Sequence, residues 1–406
     1  MTTSLEADRT ESHQTPSEQA EKWVAVARSL APLVESEVAQ GAEDKIITRK
    51  VVQAWRDAGM YRLLIPRHLG GEGLDSATYI QVAEEVSRQD ASAGWVYAIH
   101  TVGSLFPGIL LPESSYLDII GPDRNKTACG FAFGKVPGTA KPVDGGYLVE
   151  SEPMPFGSGT QHVDRVASML YLLDSDGANV IGDDGNPVVV NSYIDPQNIE
   201  WLHNWDPAGL QGTGSGHYRV KEHVLEKKWL SLAEGDRISD PVFGQGFFAI
   251  VHLHHTSVGL GIAKRAIEEL AKSTNGRRRG DLAAVDQHPM FQSDFVRIDA
   301  EYRSARALIM DAYREIWEAA VEGRVTDLHT ARIQQADLHL YRVLKDIVAT
   351  ASVWAGSDAI PRTSVFARLN ADTAIALNHL ILSPHQAASI APLIFSEALG
   401  QPSSQA

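Results

Sequence analysis

The sequence predicts an α+β fold in three consecutive parts: an N-terminal helical domain, a middle antiparallel β domain and a C-terminal four-helix bundle. Three observations carry this. Apolar residues recur at helical spacing before about residue 126 and again after about residue 236. Between those points Val, Tyr and Thr rise, Gly and Pro punctuate short runs, and alternation replaces the helical period. The second helical stretch consists of long periodic segments joined by short connections, the pattern of a bundle. The expected division is a disordered leader over residues 1–15, a helical domain over 16–126, a β domain over 127–235 and a bundle over 236–406.

In the first helical part, Ser17 is the expected N-cap of a helix over 18–39, in which Trp23, Val26, Ala27, Leu30, Leu33 and Val34 recur on one face. Further helices are expected over 48–58, 76–88 and 92–106, with a turn-rich connector around Pro66 and Gly70. Strand-like runs cover 146–150, 166–173 and 187–193, with a hairpin turn at 183–185. The bundle helices are expected over 247–271, 291–321 and 326–355, followed by two shorter ones.

Composition narrows the function. With 406 residues, 44% of them hydrophobic, the chain can bury a large core. A net charge of -15 argues against nucleic acid as a partner, and the one basic run, Arg277 to Arg279, is too short to reverse that. Cys129 is the sole cysteine, which excludes an intrachain disulfide and a cysteine-based metal centre. No apolar run approaches a membrane span, and the polar N-terminus lacks the design of a secretion signal, so the expectation is a cytoplasmic protein with no membrane partner. The cluster His252, His254 and His255 is expected to hold no metal. On a helix 252 and 255 share a face while 254 points elsewhere, and no acidic ligand is near in sequence.

The segment from Gly209 to Ser215 (GLQGTGS) stands out inside the β-rich region. Glycines at 209, 212 and 214 allow backbone to approach a flat or charged ligand, and Thr213 and Ser215 offer short hydroxyls. No G-x-G-x-x-G opens a helix after a strand. A pyridine nucleotide therefore has no evident site.

Four strings in order give the chain a family resemblance: LLIPRHLGGEGLD at 63–75, SRQDASAGW at 87–95, FGSGTQHVDRV at 156–166 and GLQGTGSGHYRVKEHVLE at 209–226. Together with the helix–sheet–bundle order they resemble the acyl-CoA dehydrogenase-fold superfamily over nearly the whole chain. That superfamily includes dehydrogenases, which need a carboxylate base, and two-component flavin-dependent monooxygenases of aromatic compounds. The tail NADTAIALNH at 370–379, an Asp followed seven residues later by His, resembles the monooxygenase branch, although Ala371 stands where that branch usually has Arg.

The resemblance implies reduced FMN or FAD and O2 as cosubstrates, with a flavin C4a-hydroperoxide as the oxidant. It implies a phenol- or indole-type substrate, a separate NAD(P)H:flavin reductase and a homotetramer. It also implies site residues. His379 and His100 are the expected catalytic imidazoles, His100 by its place on the helix of Trp95, and Ser158 is expected at the flavin edge. Trp95, Phe156, Gly157, Gly159, Gly212, Thr213, Gly214, Ser215 and one of Arg277 to Arg279, taken as Arg279, are expected to bind the cofactor. His254, His255 and Phe131 are expected to line the substrate pocket. The alternatives are an acyl-CoA dehydrogenase and a non-catalytic, ligand-binding member of the fold.

Overall fold

A computed structural model describes residues 15–130, 136–278, 280 and 282–401. The leader expected before Thr15, and the candidates Phe131 and Arg279, lie outside the described residues.

Helix α1 (Pro16–Ser29) starts at Thr15, not Ser17: Thr15 and Glu18 form a reciprocal capping box. The expected single helix over 18–39 is broken at Leu30, and α2 (Ala31–Asp44) begins with Pro32 in its first turn. Proline lacks the N–H that a continuous helix would need there and crowds the carbonyl four residues back. Then follow α3 (Arg49–Asp57), α4 (Ser76–Gln89) and α5 (Ala91–Gly103), the last two capped by Asp75 and Asp90 side chains. Two short helices, α6 (Phe106–Leu110) and α7 (Glu113–Ile120), complete this part. By length and composition the segment Ala91–Leu110 is apolar enough to cross a membrane, contrary to the sequence expectation, but 83% of it is buried inside the fold.

The sheet contains β1 (Ala128–Gly130), β2 (Gly138–Val143), β3 (Gly146–Ser151), β4 (Arg165–Leu172) and β5 (Val189–Ile194). A separate pair joins β6 (Ile199–Trp201) to β7 (Tyr218–Val220), and β8 (His223–Leu225) closes the main sheet beside β3. The expected antiparallel sheet is corrected to a mixed one, because β1 and β2 both run parallel to β4. The connection from β3 to β4 is a long excursion through Phe156 and His162 rather than a tight hairpin, and only such a crossover permits parallel pairing. The β4–β5 hairpin does pair antiparallel, with its tight turn at Gly182 to Asn186.

The last part holds α8 (Pro241–Gly244), α9 (Phe247–Thr274), α10 (Pro289–Val321), α11 (Asp327–Ala355), α12 (Val365–Ala376) and α13 (Pro384–Ala398). Helix α9 packs on α10 and α11 on one side and on α4 and α5 on the other. Every residue from Ala249 to Ala263 on it is buried. Close approach explains Gly261: a Cβ there would stand 2.3 Å from the Ser87 Cβ. A helix buried all round has no solvent face, so its polar residues must find partners inside.

Candidate active site

Between the sheet, α5, α9 and α12 lies a cavity of about 550 Å³, within the ~300–1,000 Å³ typical of small-molecule sites. Its wall combines aromatic rings (Trp95, Phe156 and Trp205), hydroxyls (Ser158, Thr213 and Ser215) and three imidazoles (His254, His255 and His379). No Asp or Glu lines it among the described residues.

The imidazoles come from two places. His254 and His255 project from the buried stretch of α9, and their Nδ1 atoms are 3.2 Å apart. One proton bridges that contact, so one ring carries it on Nδ1 and the other on Nε2. Both Nε2 atoms are buried without a hydrogen-bond partner in the protein. His379 caps the turn after α12, its Nδ1 accepting from the Ile381 N–H at 3.4 Å. Its ring centroid is 4.2 Å from that of His255. Trp95 stands edge-on to His254 at 4.3 Å and fixes that ring from α5. Burial, reinforced by the neighbouring imidazoles, lowers the pKa of His254 to about 3 and that of His255 well below the usual histidine range. Burial, with His252 second, lowers His379 to about 4. All three are neutral near pH 7, and with Nδ1 of His379 accepting, its proton sits on Nε2.

His252 takes a different path. It pairs with Asp337 of α11 at 2.6 Å, whose other oxygen accepts from Thr256 at 2.6 Å, all deep in the bundle. The adjacent pair His254 and His255 lines the cavity, while His252, which spacing alone places on the face of His255, does not. The missing acidic partner was present in the chain but 85 residues away. Among the described residues no group of three or more His, Cys, Asp or Glu is arranged to hold a metal ion.

The hydroxyl wall is built from two loops pinned to each other. Gly157 N–H donates to the Gly216 carbonyl at 2.9 Å and Gly159 N–H to the Thr213 carbonyl at 3.0 Å. Along the second loop the chain alternates: Thr213 and Ser215 face the cavity, while Gly212 and Gly214 pack the other way. Gly212 donates to Ser92 Oγ at 3.2 Å, and a Cβ on Gly214 would touch Ile46. These glycines do not line this cavity, and Gly212 instead lines a neighbouring one together with Ser92 and Asp90. Gly209 lines that second cavity as well, and a Cβ there would stand 2.2 Å from the Ala371 carbonyl carbon.

His100 is also corrected. It does not line the cavity: its Nε2 donates to the Gly159 carbonyl at 3.0 Å, and Tyr61 Oη donates to its Nδ1 at 3.2 Å. Burial lowers its pKa to about 3. Five residues along a helix turn a side chain about 140° from the starting face, so its place after Trp95 on α5 points it away. What His100 does is hold the Phe156–Gly159 loop from behind. Gly157 and Gly159 shape that loop without reaching the cavity. Phe156, 66% exposed, stands at the mouth with φ 59, a left-handed conformation for a bulky residue. Leu210 on the facing loop shares this strain, with φ 50.

Two contributors were not among the expected site residues. Trp205 lines the cavity and donates from Nε1 to the Leu210 carbonyl at 3.2 Å, a role its position just before the Gly-rich loop could have signalled. Asp372 anchors the same loop by accepting the Leu210 N–H at 2.6 Å. Burial, with Asp90 second, raises its pKa to about 7. Of the arginines, Arg277 is engaged within the chain, donating to the Ala355 carbonyl at 2.9 Å and pairing with Asp358 at 2.7 Å.

A flat heteroaromatic ring suits this wall: aromatic faces, a row of hydroxyls and two orphaned ring nitrogens. Family comparison agrees with the architecture. The family model described as "Acyl-CoA dehydrogenase, N-terminal domain" matches residues 10–110, and that for the C-terminal domain matches residues 253–384. Together these matches cover more than half of the chain. The chain belongs to the acyl-CoA dehydrogenase family. Within that family it is 27% identical over 341 residues to an indole-3-acetate monooxygenase of Pseudomonas putida, covering 83% of this chain and 84% of that protein. It is 25% identical over 318 residues to the oxygenase component of an FADH2-dependent resorcinol hydroxylase of a Rhizobium species, covering 75% and 73%. The fold matches XiaF from a Streptomyces species, solved in complex with FADH2 and glycerol, with a TM-score of 0.82 at 19% identity over 96% of this chain and 98% of that one.

Proposed function

We propose that this chain is the oxygenase component of a two-component flavin-dependent monooxygenase. It takes reduced FMN or FAD from a separate NAD(P)H:flavin reductase, together with O2, and hydroxylates a small aromatic or heteroaromatic molecule of the phenol or indole type. The observation that carries this reading is the cavity wall of three neutral imidazoles, aromatic rings and hydroxyls with no carboxylate among its described residues. A dehydrogenase acting on an acyl thioester needs a carboxylate to remove the α-proton. Asp372 is committed to the Leu210 N–H and is not among the residues lining this cavity. The names of the two relatives above support the same reaction class.

A bound reduced flavin supplies the electrons that activate O2. The chain does the rest. Ser158, Thr213 and Ser215 hold the edge of the ring, and Phe156 and Trp205 screen the cavity from bulk water. His379 offers an N–H to the reacting oxygen, and the His254–His255 pair can accept a proton at one Nε2 while donating at the other. The protein works in the cytoplasm as a homotetramer. Apolar side chains exposed on the bundle, among them Val296, Val353 and Phe395, at 70%, 73% and 67% exposure, suit contacts between copies.

The test supplies NADH, a generic flavin reductase and a panel of phenols and indoles, following oxygen uptake and product together. Uptake coupled to a hydroxylated product is expected, and His379→Ala should keep consuming oxygen while releasing peroxide. A tightly held yellow flavin that bleaches on adding an acyl-CoA would replace this reading with dehydrogenation.

A further inference from the structure

Three hydroxyls and one carbonyl form a chain that ends at the cavity. Thr213 Oγ1 lies 2.9 Å from the Leu210 carbonyl oxygen, Ser215 Oγ lies 2.7 Å from Thr213 Oγ1, and Ser158 Oγ lies 2.7 Å from Ser215 Oγ. A carbonyl only accepts, so Thr213 is the donor to Leu210. With its proton spent there, Thr213 can only accept from Ser215, and Ser215 in turn can only accept from Ser158. Three contacts consume three protons. Each O···O separation is too short to be stable without one.

The direction of the chain has a strong terminus. The Leu210 carbonyl also receives the Trp205 indole N–H at 3.2 Å and the Thr213 backbone N–H at 3.2 Å, so donors converge on it. Its residue is fixed in turn by Asp372, which accepts the Leu210 N–H at 2.6 Å. At the other end, Ser158 is only half-buried and faces the cavity. Its proton points inward, and what it shows a ligand is lone pairs alone.

On the reading that a flavin ring occupies this cavity, we propose that Thr213 and Ser215 are specificity-determining residues for the oxidation state of that ring. They make Ser158 an obligate acceptor. The oxidised isoalloxazine carries a bare, accepting nitrogen at N5, whereas two-electron reduction places an N–H there. With N5 turned toward Ser158, an acceptor-only wall matches the reduced ring and sets two lone pairs against each other in the oxidised one. The polarity of the hydroxyl chain, not the shape of the cavity, then discriminates between the two forms.

The experiment measures binding of reduced and oxidised FMN and FAD to the full chain, the reduced forms anaerobically, for the wild type and for Ser215→Ala, Thr213→Val and Ser158→Ala. The wild type should bind the reduced form about tenfold more tightly, the effect of one satisfied against one frustrated hydrogen bond. The same factor raises the midpoint potential of the bound two-electron couple by about 30 mV. Ser215→Ala and Thr213→Val free the Ser158 proton, so the oxidised form should gain affinity and the preference should collapse. A purely structural role would not produce such a gain. Ser158→Ala should instead weaken the reduced form and leave the oxidised form little changed. Equal binding of both forms by the wild type, or an unchanged preference in both Ser215→Ala and Thr213→Val, overturns the proposal while leaving the flavin reading intact. Binding of neither form by the wild type overturns the flavin reading as well.

Discussion

His254 and His255 hold their Nδ1 atoms 3.2 Å apart in the buried stretch of α9, so two neutral rings share one proton and carry opposite tautomers. The pair is therefore one donor and one acceptor. Imidazole ¹⁵N spectra near pH 7 should show one ring protonated at Nδ1 and the other at Nε2. Two rings of the same tautomer would refute the shared proton.

Acid should destabilise the protein earlier than its carboxylates alone would require. The folded pKa values of His254 and His100 are both lowered to about 3 by burial, far below the ordinary 6.5. Groups with depressed folded values contribute stability that is present above 6.5 and is lost as pH falls from there toward about 3. Each such ring costs about 1.4 kcal/mol per pH unit below 6.5. Thermal melts at pH 7.5 and 5.5 should show a clear fall, and His254→Phe should shrink it.

Asp372 should act with the opposite sign. Its folded pKa is raised to about 7, so its neutral form is the one the fold favours, and the stability it contributes below the usual carboxylate range is lost as pH rises through about 7. Asp372→Asn keeps an acceptor for the Leu210 N–H and removes the charge. It should melt above the wild type at pH 8, and the gap should narrow as pH falls and close only below about pH 4, where the unfolded carboxyl is protonated too. Asp372→Ala leaves that N–H unpaired and should cost about 1–3 kcal/mol at low pH, a loss that relief of the buried charge offsets at pH 8.

His100 should behave as a positioning residue. His100→Ala strands both the Gly159 carbonyl and the Tyr61 hydroxyl, at a cost of about 2 kcal/mol in urea unfolding. Affinity for flavin should fall as the Phe156–Gly159 loop loosens. His100→Gln, which can still donate to Gly159, should recover much of both. A variant with normal stability and lost turnover would return His100 to the chemistry.

Local signals carried far. The long helices α9, α10 and α11 were legible within a few residues because their apolar spacing is sustained over many turns. The kink at Pro32 and the cap at Thr15 had sequence signatures too, but each competed with a periodicity that ran straight through it. The parallel pairing of β4 with β2 had no local signature, since strand direction depends on how the intervening chain crosses the sheet. In the site, Ser158, Thr213, Ser215, Trp95, Phe156, His254, His255 and His379 all reach the cavity wall. The glycines and His100 do not, because spacing reports a face of one element and not what that face meets.

By itself, then, the sequence determined the order of helical and β segments and the residue types a redox cavity needs, since these follow from periodicity and side-chain chemistry. Tertiary structure decided which of them converge. Asp337 reaches His252 across 85 residues and Asp372 reaches Leu210 across 162, and neither contact follows from any local pattern. Hydrogen-bond direction was decided there as well, because a hydroxyl's role is set only by the full chain of partners on which its proton depends.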